Sequence, residues 1–384
     1  MIKITQSFPS AARTVSLWPI AVRDYEAIFV GGGLAAMLLL RELGAALSGR
    51  VAVVDPCPPP ERPTVHWSYW SHVPTLYDRF AVGSWRKARV AQMPAEPVAP
   101  YTLRLVRSTD VFAHIAEKLR TTPIEWLRAS AHSVERRDNG TYEVITNAGA
   151  VRADWVFDSA PDVEPAFPSS HRPRAVLSGT GVRVTADPPV FDAESATLFD
   201  PLDERSFAYL LPLSPSEALL ESATFDSAIQ NEDETPLLRY LRSRHPGATF
   251  AVTHAEHGHI PLGFAPSRTA GSRHVLLGTK RGLIKPSAGY GVVRMALESE
   301  RLACLWKQRK PLPPSQRSSL RWRLLDVGFL QLAAHDPRRP LYLLRNVMHA
   351  VPLVQSLRFI DEELPRRQLA AVVWSALPAV LGRE

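Results

Sequence analysis

The 384-residue chain is 45% hydrophobic and 22% charged, a globular balance that excludes a disordered or collagen-like protein. Its net charge of +7 comes from scattered arginines, without like-charged blocks or aromatic-interleaved basic motifs. That pattern speaks against nucleic-acid binding and reads either as general solubility or as attraction to an anionic membrane surface. Two cysteines, Cys57 and Cys304, offer neither a disulfide framework nor a metal spacing and fit a reducing compartment.

Residues 1–23 read as a tail whose apolar patch is broken by Pro19 and lacks a small-residue cleavage site, so no signal peptide is expected. The apolar runs at 28–40 and 369–382 fall short of the roughly 20 residues that span a bilayer. A cytoplasmic protein, at most peripheral or monotopic at a membrane, is expected.

"AIFV" predicts a buried strand, "AAMLLLRELGAAL" a helix ending near Ser48-Gly49, and "VAVVD" (51–55) a second parallel strand. "PCPPPERPT" (56–64) is irregular because proline continues neither element. A helix is predicted over 110–122, then a hairpin turning at Asn139-Gly140 and an apolar strand "WVFD" at 155–158. From about 175 to 265 the pattern is β, "RHVLLGT" (273–279) is another buried strand, and "GYGVVRMALESERLACLWKQ" is a Gly-initiated helix. The last seventy or so residues are helical in pattern. The chain thus divides into a dinucleotide-binding domain from 24–100, 140–165 and 270–310, a β-rich substrate-binding domain from 101–139 and 166–269, and a helical region over 311–384.

Gly31, Gly33 and Ala36 fit G-x-G-x-x-G/A between strand and helix, where a tight turn lets backbone N–H groups of Gly33, Leu34, Ala35 and Ala36 approach a diphosphate. Asp55, 22 residues beyond Gly33, ends the next strand, where a carboxylate accepts ribose hydroxyls. A second strand–loop–helix passage places Gly278, Pro286, Gly289, Tyr290 and Gly291 before another helix, an arrangement that suits a long dinucleotide such as FAD. His257 and His259 lack partners at zinc spacing, so no metal is expected. Arg281 and Lys285 read either as solvated or as neighbours of the flavin.

Several pieces, in order, resemble the flavoprotein lycopene cyclase family of the bacterial β-cyclase type. "AIFVGGGLAAMLLLREL" looks like its N-terminal fingerprint, and "HWSYW" (66–70) is similar to its His-Thr-Trp-Ser-Phe segment. "FAYLLPLSPSEALLESATF" (207–225), "EHGHIPLG" (256–263) and "GLIKPSAGYGV" (282–292) resemble three further family segments. The resemblance implies an α/β, Rossmann-like FAD-binding fold of the p-hydroxybenzoate hydroxylase type with a β-rich substrate domain. It also implies a membrane-associated enzyme that closes a ring on an apolar carotenoid or other isoprenoid polyene, with no net oxidation, and FAD active in its reduced form with NAD(P)H as a possible reductant.

Glu221 in "LLES" falls on the family's essential acid, with His66, Trp67 and Tyr69 as candidate substrate contacts. A carboxyl group in apolar surroundings resists ionisation and can serve as the proton donor. Aromatic faces from Trp67, Tyr69 or Tyr290 offer cation–π attraction. The chain departs from the family where Ser222 follows the acid, where Lys285-Pro286 replaces His-Pro, and where "SAP" (159–161) follows "VFD". These departures leave prenyl chains other than lycopene open as substrates. Two other functions stay open: an FAD-dependent monooxygenase on an apolar substrate, and a non-catalytic flavin or isoprenoid carrier. In "PRRQLAAVVWSALPAVLG", arginines precede an apolar stretch with Trp374, which reads equally as an interfacial anchor or a last core helix.

Overall fold

The computed structural model describes residues 24–58, 61–160, 175–226, 233–263, 273–313 and 318–381. The expected tail at 1–23 and the residues from Pro161 to 174 lie outside the described residues.

β1 (Asp24–Val30), α1 (Leu34–Leu43) and β2 (Val51–Val54) form the predicted opening unit. Ala27–Val30 and all of β2 are buried on both faces, as strands of a covered parallel sheet must be. α1 stops at Leu43, earlier than expected, because Gly44 takes a positive φ of 26°.

Next come β3 (His66–Ser71), β4 (Ala81–Trp85), β5 (Lys87–Val90), β6 (Glu96–Pro97), β7 (Thr102–Arg107) and α2 (Ser108–Leu119). α2 buries Val111, Ile115 and Leu119 at helical spacing, as the sequence predicts. β8 (Ile124–Leu127), β9 (Ala131–Arg136), β10 (Tyr142–Thr146) and β11 (Gly149–Asp158) complete the first half.

The β-rich stretch consists of β12 (Ala175–Asp187), β13 (Ser195–Pro201), β14 (Ser206–Ser214) and β15 (Glu217–Asp226). α3 (Thr235–Arg244), which the β pattern did not predict, precedes β16 (Thr249–Leu262). β17 (His274–Leu276) and α4 (Val292–Lys307) return the chain to the nucleotide side. α5 (Leu320–His335), α6 (Arg339–Ala350), α7 (Leu353–Ile360) and α8 (Arg366–Leu381) form the helical region.

The first sheet runs β8-β2-β1-β11-β10-β9, with β17 also paired to β11. The second runs β16-β12-β15-β14-β13-β5-β6, and β3-β7-β4 makes a third. The sheets correct the division drawn from sequence. β8 and β9, placed with the substrate region, extend the first sheet, whereas β5 and β6, placed with the nucleotide region, edge the second. α2 is the crossover that returns the chain to pair β8 parallel to β2, a long-range outcome that short segments such as "IEWL" do not signal.

α1, α2 and α4 cover one face of the first sheet through Phe29, Leu39, Val111 and Leu302. The second sheet is sandwiched. Ala218 and Leu220 of β15 pack under α3, while Leu219 and Phe225 pack toward the C-terminal helices. Each large apolar side chain so buried contributes about 1.5–3 kcal/mol. Strand alternation therefore sends the apolar residues of β15 to two different interiors.

Candidate active site

The turn after β1 is built for close approach. Gly31 has φ +84°, and a Cβ there would meet Ala160 N at 2.8 Å, so only glycine fits beneath the chain leaving β11. Ser159 Oγ donates to Gly31 O at 2.8 Å, which gives the unusual "SAP" segment a local role. Gly33 caps α1 without a side-chain partner, and no acidic residue occupies the first turn, so the N–H groups at Leu34, Ala35 and Ala36 face no competing anion there.

Asp55 follows β2 as expected, but its Oδ2 accepts from Gly32 N (2.7 Å) and Arg62 Nη2 (2.5 Å), and its Oδ1 from Cys57 N (2.8 Å). It braces the turn, with carboxylate lone-pair capacity left for a hydroxyl donor. Gly278, just past β17, sits where a methyl group would lie 3.1 Å from Ala35 Cβ, and α4 is also uncapped at Gly291 with no acid in its first turn. Two anion-tolerant helix starts therefore lie on one side of the first sheet.

Between them runs a tight loop. Lys285 N donates to Tyr290 O at 2.8 Å and Gly289 N to Lys285 O at 2.8 Å, with Pro286 buried inside. Gly289 has φ +72°, and a Cβ there would fall 2.2 Å from Leu177 Cδ2, so the loop presses its backbone onto the second sheet.

Beside this loop lies a cavity of about 390 Å³, whose walls include His66, Trp67, Phe207, Tyr209, Glu221 and Tyr290. Its floor follows from strand register. Across four neighbouring strands, Tyr209, Glu221, Gly181 and Glu256 stand in one row, and Phe207, Ala223, Gly179 and Gly258 in the next. Three of these positions are glycine, and the space above Gly179, Gly181 and Gly258 is the cavity. A Cβ on Gly181 would meet Glu256 Cγ at 2.8 Å, so the glycine also admits the Glu256 side chain.

Glu221 lies within β15 rather than at a strand end, on the face that carries Leu219 and Phe225. It is partly accessible only because it looks into the cavity. Burial, then the nearby Glu256 charge, push its pKa up to about 8. Burial also raises Tyr209 and Tyr290 above the ordinary phenol value, so both hydroxyls stay protonated as donors. The Tyr290 ring packs 4.5 Å from Trp70.

The structure brings His66, Glu221, Gly289, Tyr290 and Gly291 together at the cavity, where Trp67 also contributes to the wall but turns its ring to Phe112, 5.6 Å away, on the face of β3 opposite His66. It does not bring Tyr69, the third expected substrate contact. Tyr69 points to the opposite face of β3 from His66, is fully buried against Tyr77, and bonds Asp78 at 2.9 Å. Arg281 and Lys285 are neither solvated nor on the cavity wall. Arg281 pairs with Glu298 at 2.7 Å, and Lys285 with Asp326 at 2.8 Å and Glu362 at 3.2 Å. Sequence reasoning missed Tyr209 and Glu256, which only register reveals. The quoted likenesses at 207–225 and 256–263 were the available signal.

His66, Glu256 and His254 cluster, with ligand-capable atoms within 4.8 Å of one another. Hydrogen bonds from His66 Nδ1 (2.7 Å) and His254 Nε2 (3.3 Å) to Glu256 already join them. A second cavity of about 530 Å³ opens among α5–α8, lined by Leu325, Phe329, Leu344 and Met348. Ser287 lines it while Ala288 lines the first, so the 286–290 loop is a shared wall. Leu320, Leu324, Val373 and Trp374 lie exposed on α5 and α8. Among the described residues, no helix is long and apolar enough to cross a membrane.

The sequence model of the family described as "Lycopene cyclase protein" matches residues 26–362. A search of curated proteins finds no significant match. Among solved structures, the chain is similar to a geranylgeranyl bacteriochlorophyll reductase-like protein from Thermoplasma acidophilum (TM-score 0.59, 14% identity, 94% of this chain and 98% of that one). It is similar also to p-nitrophenol 4-monooxygenase from Pseudomonas putida (0.55, 18%, 94% and 98%) and to the halogenase PltM, solved with phloroglucinol and FAD (0.53, 13%, 92% and 85%). The fold is the α/β type of the p-hydroxybenzoate hydroxylase flavoproteins, with a β-rich layer and a helical C-terminal region.

Proposed function

The chain belongs to the lycopene cyclase family, and from that premise we propose that it closes a six-membered ring at an acyclic end of a carotenoid-like polyene, without net oxidation. The observation that carries the reading is Glu221: a carboxyl with its pKa raised to about 8, on the apolar face of a sheet, beside a cavity floored by glycines. Such a group is largely protonated at neutral pH and able to donate to an alkene. Protonation leaves a carbocation that must be sheltered from water. Phe207, Tyr209 and Tyr290 supply π faces around it.

The residues fit an FAD. Gly31, Gly33, Leu34, Ala35, Ala36 and Asp55 would hold its adenosine diphosphate half, and Gly278, Pro286, Gly289, Tyr290 and Gly291 its flavin half. The φ of Gly31 and the uncapped starts of α1 and α4 are the features that such a ligand explains. Reduced FAD, when bound, supplies negative charge that favours a cation nearby, and NAD(P)H is the reductant we assign.

The apolar chamber among α5–α8 suits the remainder of a long polyene. Exposed Leu320, Leu324, Val373 and Trp374, with the preceding arginines at 366 and 367, suit peripheral contact with an anionic bilayer on the cytoplasmic side.

Expression in lycopene-accumulating cells tests the reading. Cyclic isomers of lycopene are the expected pigments, lost in Glu221→Gln with flavin still bound. Oxygen incorporation with NAD(P)H consumption would move the assignment to a monooxygenase. Flavin binding without turnover would move it to a carrier.

A further inference from the structure

Ring closure by an acid is incomplete until a C–H proton has been removed from the cyclic cation. The geometry points to His66 Nε2 as the base, held by Glu256 as its positioning residue. This inference rests on the ring-closing reading above.

The Glu256 carboxylate accepts from the His66 main-chain N–H at 3.1 Å, meets His66 Nδ1 at 2.7 Å and His254 Nε2 at 3.3 Å. The His66 main-chain N–H can only donate, so the Glu256 oxygens that meet it act as acceptors in this cluster. Nδ1 of His66 therefore carries the proton and Nε2 keeps its lone pair, the arrangement that a carboxylate imposes on a general-base histidine. Nε2 is buried and has no hydrogen-bond partner among the described residues, although His66 lines the cavity that contains Glu221. A buried, unpartnered acceptor beside an acid is accounted for if a C–H of the substrate is its partner.

The second sheet sets the spacing of acid and base. Glu221 and Glu256 flank Gly181 in one row, so the two carboxyls lie two strands apart, on the order of 10 Å between backbones. Their surroundings differ, an apolar face for one and hydrogen-bond donors for the other. Burial in an apolar face governs Glu221. Glu256 meets His66 N and Nδ1 and lies 3.3 Å from His254 Nε2, and its charge adds to the upward shift of Glu221.

The step balances. The Glu221 O–H bond breaks and its proton forms a C–H bond at the terminal alkene. The π pair of a second alkene forms the new ring C–C bond, leaving a ring cation. His66 Nε2 then takes a proton from the carbon beside the cation, and that C–H pair becomes the ring double bond. One proton enters and one leaves, nothing is oxidised, and the proton on His66 returns to Glu221 before the next turnover.

The test uses full-length, flavin-loaded His66→Gln, His66→Ala and Glu256→Gln with lycopene in anionic vesicles prepared in D2O, with products identified by mass and ring isomer. Flavin absorbance and circular dichroism establish folding, and Glu256→Gln, which keeps size and a hydrogen-bonding group, serves if the histidine variants do not fold. His66 variants are expected to lose about 10²-fold or more in native product. They should still incorporate deuterium through Glu221, and so divert the cation to other ring isomers or a water-captured alcohol. Glu256→Gln should do the same and also move the alkaline limb of the rate profile to lower pH, because Glu221 loses a neighbouring negative charge while Tyr209, Tyr290 and His257 around it are unchanged. An unaltered product pattern and a rate within twofold of wild type would overturn the assignment, as would a stoichiometric metal whose removal abolishes activity. A wild-type enzyme that makes no cyclic isomer would instead overturn the parent reading, which separates the two failures.

Discussion

Replacing Glu221 by Gln should make the protein more stable and inactive at once. A carboxyl with a pKa of about 8 is about nine-tenths protonated at pH 7, whereas one at the ordinary 4.5 is protonated in only about three molecules per thousand. The unfolded chain ionises this group above about pH 4.5 and the folded chain only above about pH 8. In that window the folded state holds the extra proton, and stability falls as pH rises. The shift amounts to about 5 kcal/mol when fully developed above pH 8, and about 3 kcal/mol at pH 7. Water entering the cavity makes both upper values.

Gln has the same shape and cannot ionise, so the variant escapes the penalty. Urea denaturation of both proteins from pH 4 to 9, at matched flavin content, should show curves that coincide near pH 4. They should separate through the window, with the variant ahead by up to about 3 kcal/mol at pH 7, and run parallel above pH 8. Cyclising activity of the wild type should decline over the same alkaline range as the acid ionises. A stability difference independent of pH, or a destabilised variant at pH 7, would refute the claim that Glu221 is held neutral.

Three further outcomes follow from the packing. Gly258→Leu projects a side chain where nothing lies within 4 Å of a Cβ. It should leave melting temperature and flavin absorbance intact while lowering kcat/KM at least tenfold by filling the cavity. Lys285→Met strands Asp326 without its buried cation, while Glu362 keeps Arg294 at 3.2 Å, and should cost about 3–5 kcal/mol in denaturant unfolding, part of it recovered by adding Asp326→Leu. Trp374→Ser, at a side chain 76% exposed on α8, should weaken sedimentation with anionic vesicles severalfold without changing thermal stability.

Local pattern carried the nucleotide half of the molecule into view. The strand–glycine–helix opening, the hairpin at Asn139-Gly140 and the α4 helix depend on neighbours within one or two turns, and the sequence states them directly. Glu221 was legible by resemblance alone, because an acid in "LLES" carries no local mark of burial. The pairing of His66 with Glu256 spans 190 residues and depends on β3 packing beside β16, which no periodicity encodes. Tyr69 failed for a simpler reason: the period of a strand sends neighbours to opposite faces, so "HWSYW" could not deliver both His66 and Tyr69 to one cavity. α3 escaped notice because Pro236 and its arginines obscure a short amphipathic face, only Leu237, Tyr240 and Leu241 of which is buried. The outer strands β8 and β9 carry too little apolar alternation to announce their sheet.

The floor at Gly179, Gly181 and Gly258 has a chemical consequence beyond the room it provides. Carbocations alkylate whatever electron-rich group touches them, and an enzyme that generates one at each turnover risks modifying itself. Over Gly181 the Glu256 side chain already lies, but at Gly179 and Gly258 the reacting end of a substrate would rest on main chain whose amide groups are already engaged in strand ladders. No hydroxyl, thiol or amine projects from them. The surface beneath the cation is thus chemically inert, and the long working life of such a catalyst would owe as much to those missing side chains as to the reactive ones around them.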